Sequence, residues 1–139
     1  MPANRMDNYP VIIGAAQAIY RDATYHNALD PLTALASVAL RAAEDAGITA
    51  QQLQKISAVG MVDVAAWSPQ NGPDLLAERL GAKPSSQISM TIGGDTPLVL
   101  LNRFARDIAE GRHDFALLAG THHLRTKRQA SAANVELNW

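Results

Sequence analysis

"SMTIGGDTPLVLLNR", residues 89–103, runs from a β-forming stretch through a glycine pair into a helical pattern. Asp95 or Thr96 suits a helix cap, and Pro97 has the fixed φ that fits a first helical turn. The helix is expected from about 97 to 110, stopping at Gly111. Its first turn carries Leu98, Val99, Leu100 and Leu101 in succession, which together cover every side of the cylinder. Such a helix is expected to be buried all round. A two-layer domain of this size seldom encloses a helix completely, so the pattern asks for a further layer from more chain or from another subunit.

Working outward, "PVIIGAAQ" (10–17) reads as a buried strand ending in small residues. In "DPLTALASVALRAAEDAGI" (30–48), Asp30 can cap, Pro31 suits the first turn and Gly47 can close the helix in the left-handed conformation. Leu32, Leu35, Ala39, Ala42, Ala43 and Ala46 recur near helical spacing opposite Arg41, Glu44 and Asp45. A polar link then leads to "ISAVGMVDV" (56–64), a second β-like run interrupted by Gly60. Pro73 to Leu80 reads as a short helix ended by Gly81, "SSQISMTI" (85–92) as a third strand, and "DFALLAG" (114–120) as a fourth. Strands alternating with helices build a mainly parallel sheet covered by helices, so the fold class is α/β. The tail, 121–139, is irregular or helical by pattern.

The bulk numbers narrow the function. At 139 residues, 47% apolar and net charge −1, the chain is one ordinary globular domain, with no electrostatic case for nucleic acid. Arg125, Lys127 and Arg128 form a basic cluster too short to be a nucleic-acid stripe. No long apolar run and no hydrophobic leader is present, so a membrane role is not expected and the cytoplasm is the default location. Cysteine is absent, which excludes disulfides, thiolate metal sites and a cysteine nucleophile on this chain.

The chemistry-bearing candidates are few. Gly93, Gly94, Asp95 and Thr96 stand where a helix N-terminus can hold a phosphate, a carboxylate or an oxyanion. A capped helix after a tight turn explains the same residues, and "GGDT" is neither a phosphate-binding loop nor a dinucleotide fingerprint. One reading of the chain is thus a small doubly wound domain binding a phosphorylated ligand at 93–96. His122 and His123 are adjacent and His113 is close, but neighbouring residues on an extended chain point apart and no His-x-x-x-His spacing exists, so no metal site is expected. No Gly-x-Ser-x-Gly elbow occurs. Asp63 and Asp95 can pair as carboxylates only if the fold brings them together, and Trp67 and Trp139 read as packing or interface residues.

Taken in order, "VIIGAAQAIYRD", "DPLTALASVALRAAEDAGI", "ISAVGMVDV", "LLAERLGA" and "GGDTP...FARDIAEGRHDFALLAGTH" resemble the N-terminal part of thiolases and thiolase-like proteins, over roughly residues 10–125. The likeness is greatest to the acetyl-CoA acetyltransferase-like and sterol-carrier-type branch. It implies an incomplete thiolase-like αβα half, a mainly parallel mixed sheet with one buried helix, spanning 1–120 and lacking its last strand. Residues 121–139 would then start a loop region that contributes to coenzyme A binding in relatives.

The resemblance also implies acyl transfer through a cysteine at the N-terminus of the buried helix, made more acidic by the helix dipole. That position falls on Gly94, or on Asp95 with a turn one residue different, and neither can act as the nucleophile. No catalytic residue is therefore expected, and the second-half histidine and cysteine of the family have no counterpart. Gly93, Gly94, Asp95 and Thr96, with Arg125, Lys127 and Arg128, become the implied substrate surface, with coenzyme A or acyl-CoA as ligand and no tightly bound cofactor. The chain is expected to be an acyltransferase-type segment inactive alone. The alternative is a non-catalytic acyl-CoA-binding or structural subunit that pairs with another thiolase-like chain. A homodimer through the strand near 86–91 is the other implied assembly, since that edge would otherwise stay unpaired.

Overall fold

A computed structural model describes residues 8–63 and 66–139. Its elements are α1 (Pro31–Asp45), α2 (Ala50–Leu53), β1 (Ala58–Val62), α3 (Gly72–Leu80), β2 (Ser86–Met90), α4 (Thr96–Ala109), β3 (Ala116–Ala119) and α5 (Leu124–Ala132). Among the described residues the sheet has three strands in the order β2-β1-β3. Both pairings are parallel, with Ala58 opposite Ser86 on one side and Ala116 on the other. Residue 64, the end of the run expected as a strand, lies outside the described residues.

The helix ends follow from local chemistry. Asp30 Oδ1 accepts the Thr33 amide at 2.9 Å with Pro31 just inside the helix, so α1 begins where a cap and a preset φ coincide. Gly47 (φ 68°) closes it, and the Ile48 amide reaches back to the Ala43 carbonyl at 2.9 Å. Gly81 and Gly111, both at φ 72°, end α3 and α4 in the same way. In α2, Thr49 and Gln52 form a reciprocal capping box.

The sheet alternates cleanly between two faces. Val59 and Met61 pack with Leu35, Ala39, Leu53, Leu76 and Leu80, so α1, α2 and α3 cover one side. Ala58, Leu100 and Phe104 form the core of the other side, where α4 lies against Ile88 and Leu118. Ile56, Val59, Leu76 and Leu100 are fully buried, and each contributes about 1.5–3 kcal/mol of apolar burial. Gly60 explains the closeness of α4: a Cβ there would fall 2.7 Å from both Leu100 Cδ2 and Phe104 Cζ. The glycine that interrupts the apolar run is the floor on which α4 rests.

Two expectations are corrected. Residues 10–17 form no strand: Val11 and Ile12 are 71% and 73% exposed, and no described segment pairs with them. Apolar β-forming composition favours a strand only where a neighbour stands at hydrogen-bonding distance. The helix α4 is not buried all round. Leu100 is fully buried on the sheet, but Leu98 and Val99 are 59% and 46% exposed, because no described residues supply a layer on that side. No helix among the described residues is long and apolar enough to cross a membrane.

Candidate functional site

Because β1, β2 and β3 are parallel, the chain leaves all three at one edge of the sheet, the edge at which open α/β folds hold their ligands. Asp63, residues 91–95 and residues 120–123 gather there. Asp63 joins two of these exits: its amide donates to the Met90 carbonyl at 2.8 Å, and its Oδ1 accepts the Ser89 hydroxyl at 2.7 Å. The Asp63 carboxylate, which could pair with Asp95 only if the fold brought them together, is held instead by Ser89. Strand register carries the signal that composition alone does not, since Met61 lies opposite Ser89 and sets Asp63 just beyond that pair.

The start of α4 is open but poorly supplied with donors. Asp95 occupies the N-cap position with a helical backbone (φ −95°, ψ −15°), and its side chain makes no capping bond. The Thr96 amide donates to the Gly93 carbonyl at 3.3 Å, and the amides of Leu98 and Val99 both donate to Asp95 O at 3.0 Å. Pro97 has no N–H to offer. The amides of Gly94 and Asp95 remain without a partner among the described residues, and the Asp95 carboxylate stands at the positive end of the dipole. An incoming anion therefore meets a resident negative charge, which weakens the phosphate-site reading.

There is space, however. A Cβ at Gly94 would have nothing within 4 Å, whereas one at Gly93 would collide with Thr96 Oγ1, which folds back over that glycine. Gly94 also lacks a positive φ, so its backbone suits any L-residue. A nucleophile would fit at 94, and the chain has none there.

The basic residues lie on α5. Arg125, Lys127 and Arg128 are exposed on α5, and Arg125 Nη1 donates to the Arg21 carbonyl at 2.7 Å. Lys127 opens on a cavity of about 670 Å³ lined also by Trp67, Pro69, Leu75 and Trp139. No hydrogen bond or ion pair joins these residues to Gly93–Thr96 among the described residues.

The histidines also part company. His122 is exposed, while half-buried His123 has Nδ1 3.0 Å from Thr121 Oγ1 and meets the Trp139 ring edge-on at 5.3 Å. Burial holds the His123 imidazole below its usual pKa, against the opposing pull of the Leu29 backbone and Asp30. His113 Nδ1 is buried without a hydrogen-bond partner among the described residues. No three metal-binding side chains converge among the described residues.

Comparisons with known proteins place this geometry. No family model matches the chain. No curated protein matches it either. A solved structure does: a monomeric SCP2-thiolase-like protein type 1 from Mycobacterium smegmatis, 27% identical, with a TM-score of 0.68 over 81% of this chain. The match spans 23% of that protein's length, so the chain corresponds to about a quarter of it. The likeness supports membership of the thiolase superfamily.

Proposed function

We propose that the chain is a thiolase-like acyl-CoA-binding segment of acetyltransferase type that forms no acyl-enzyme by itself. The observation that carries this reading is the junction between β2 and α4. A strand leads into a helix N-terminus with open space at Gly94, yet the residues there are Gly94 and Asp95, and the chain has no cysteine. Acyl transfer by the covalent route needs a nucleophile whose leaving tendency and acidity are tuned to a thioester; glycine has none, and a carboxylate beside it repels the developing negative charge.

Coenzyme A carries phosphates, and exposed Lys127 and Arg128 are free to meet them while the acyl arm lies toward Gly93–Thr96. Residues 121–139 belong to this reading as the start of the ligand-holding loop region. Exposed Ile92, Leu98 and Val99 favour the related reading of a subunit that docks a second thiolase-like chain, since large apolar side chains exposed together in sequence at a helix start are the kind a partner covers. The edge position of β2 makes a homodimer the simplest such pairing.

Calorimetric titration with acetyl-CoA, followed by intact-mass analysis, tests the proposal. Saturable binding with unchanged protein mass is expected. An acetylated chain would overturn the non-catalytic reading, and absence of any heat of binding would overturn the ligand.

A further inference from the structure

Helix α5 ends in a tight reversal. Asn134 takes a left-handed backbone (φ 55°) and the Val135 amide reaches back to the Ala130 carbonyl at 2.9 Å, so residues 135–139 return along the helix they leave. At the start of α5, Trp139 meets His123 edge-on with ring centroids 5.3 Å apart. The helix, the returning segment and a third wall from Trp67 and Leu75 enclose the cavity of about 670 Å³. That size suits a small molecule, since ligand sites span about 300–1,000 Å³.

The lining is selective. Trp67 and Trp139 both contribute to it, and among the described residues neither indole stacks on the other. Lys127 and Glu136 line it as well, and neither is ion-paired with the other or with any other described residue. A simple anion would be drawn to Lys127 and repelled by Glu136, and a simple cation would meet the reverse. A molecule that carries both charges satisfies both. We infer that the cavity binds a betaine, a zwitterion with a quaternary ammonium at one end and a carboxylate at the other. Lys127 takes the carboxylate, and Glu136 with the two indoles takes the ammonium.

The indoles select the kind of cation. A primary ammonium is compact and strongly hydrated, and it needs acceptors in place of the water it loses. A trimethylammonium has no N–H, spreads its charge over its methyl groups and is held by the π surface of tryptophan. Leu75 and Val135 supply apolar contact for the carbon chain between the two charges. The His123 contact sets Trp139 in place before any ligand arrives, which lowers the ordering cost of binding. The inference does not rest on the acyl-CoA reading. Lys127 figures in both, whereas Glu136 and Trp67 belong to this one alone.

The probe is γ-trimethylammonio-butanoate, titrated by calorimetry into the whole chain. Its controls are the tert-butyl isostere, in which carbon replaces the charged nitrogen, and γ-aminobutanoate, which carries a primary ammonium. The betaine should bind saturably, and each control should bind at least about tenfold more weakly. Glu136→Gln and Trp67→Leu should each weaken the betaine about tenfold, while Trp67→Phe, which keeps a π surface, should cost about threefold or less. Glu136 is exposed, so its variant serves if Trp67→Leu fails to fold. Glu136→Gln should also leave the acetyl-CoA titration unchanged, and an equal loss there would merge the two sites and overturn the inference. No binding of the betaine overturns it too, as does equal binding of the isostere, which would mean that the carboxylate alone is read. Equal or tighter binding of γ-aminobutanoate would assign the cavity to a primary amino acid instead. Absence of acetyl-CoA binding in the parent chain overturns only the acyl-CoA reading.

Discussion

Replacing Gly60 by alanine puts a methyl group where α4 rests on the sheet. The added carbon would lie 2.7 Å from Leu100 Cδ2 and Phe104 Cζ and 2.8 Å from Phe104 Cε2. Comfortable carbon contacts need about 3.5–4.0 Å, so α4 must retreat or two side chains must leave their rotamers. Leu100 is fully buried and Phe104 nearly so, and neither can swing into solvent. Overpacking of this kind costs about 1–3 kcal/mol. Gly60 has no positive φ, so alanine recovers about 0.4–1 kcal/mol by restricting the unfolded chain. The net loss is up to about 2.6 kcal/mol, or a fall in Tm of up to about 10 °C for a domain of this length. Thermal unfolding followed by circular dichroism reads it directly. Adding Phe104→Leu to the Gly60→Ala background should restore part of the loss, since that side chain supplies two of the three close contacts. An unchanged Tm with no coupling to position 104 would refute the seating of α4 on Gly60.

Gly94→Cys should fold with wild-type stability, because its Cβ enters open space, yet acetyl-CoA should leave neither a stable acyl adduct nor thiolysis in a steady-state assay. Measurable turnover would show that this chain alone suffices for the chemistry. Asp30→Ala should cost about 1 kcal/mol in urea unfolding through the lost α1 cap. Partial burial pushes the Asp30 carboxyl up, but bonds from Thr33 and Leu32 and the charge of Arg79 outweigh it and hold it below the usual value. That stabilisation is complete above the ordinary aspartate pKa and is lost as pH falls through the lower folded value, so wild type and Asp30→Ala should converge in stability at strongly acid pH. His123 works at a higher pH. Its imidazole is depressed by burial, so the unfolded chain binds the proton more readily, and stability should fall as pH drops below about 6.5. His123→Phe should flatten that slope in a pH series of urea midpoints, and an unaltered slope would assign it to other groups.

The helices were legible where their ends carry their own chemistry. Asp30, Pro31, Gly47, Gly81 and Gly111 mark the boundaries of α1, α3 and α4 to within a residue or two. The short α2 carried a signal too: Thr49 followed three residues later by Gln52 is a capping box, inside what reads as a polar link. Helix α5 is harder to see, because His123 offers no side-chain cap and its residues are mostly polar.

Relations between distant segments were less legible. "PVIIGAAQ" has the composition of a strand, but composition does not reveal whether a neighbour stands beside it. The leucines of α4 announce a helix apolar on all sides, and local pattern does not say which side will be left open. At the site, the spacing of Gly93–Thr96 correctly marks a helix start, whereas the Ser89 contact of Asp63 depends on the register of two strands.

The central place of β1 has a kinetic consequence. Ser57, at its threshold, bonds to Ser85 and Phe115, which lie 28 and 58 positions further along the chain. A ribosome adds about 5–20 residues per second, so β1 waits about 3–12 s after its own synthesis before its second neighbour exists. Through that interval the middle strand of the sheet has at least one bare edge, and a pause in translation between the codons for residues 62 and 116 would lengthen the exposure.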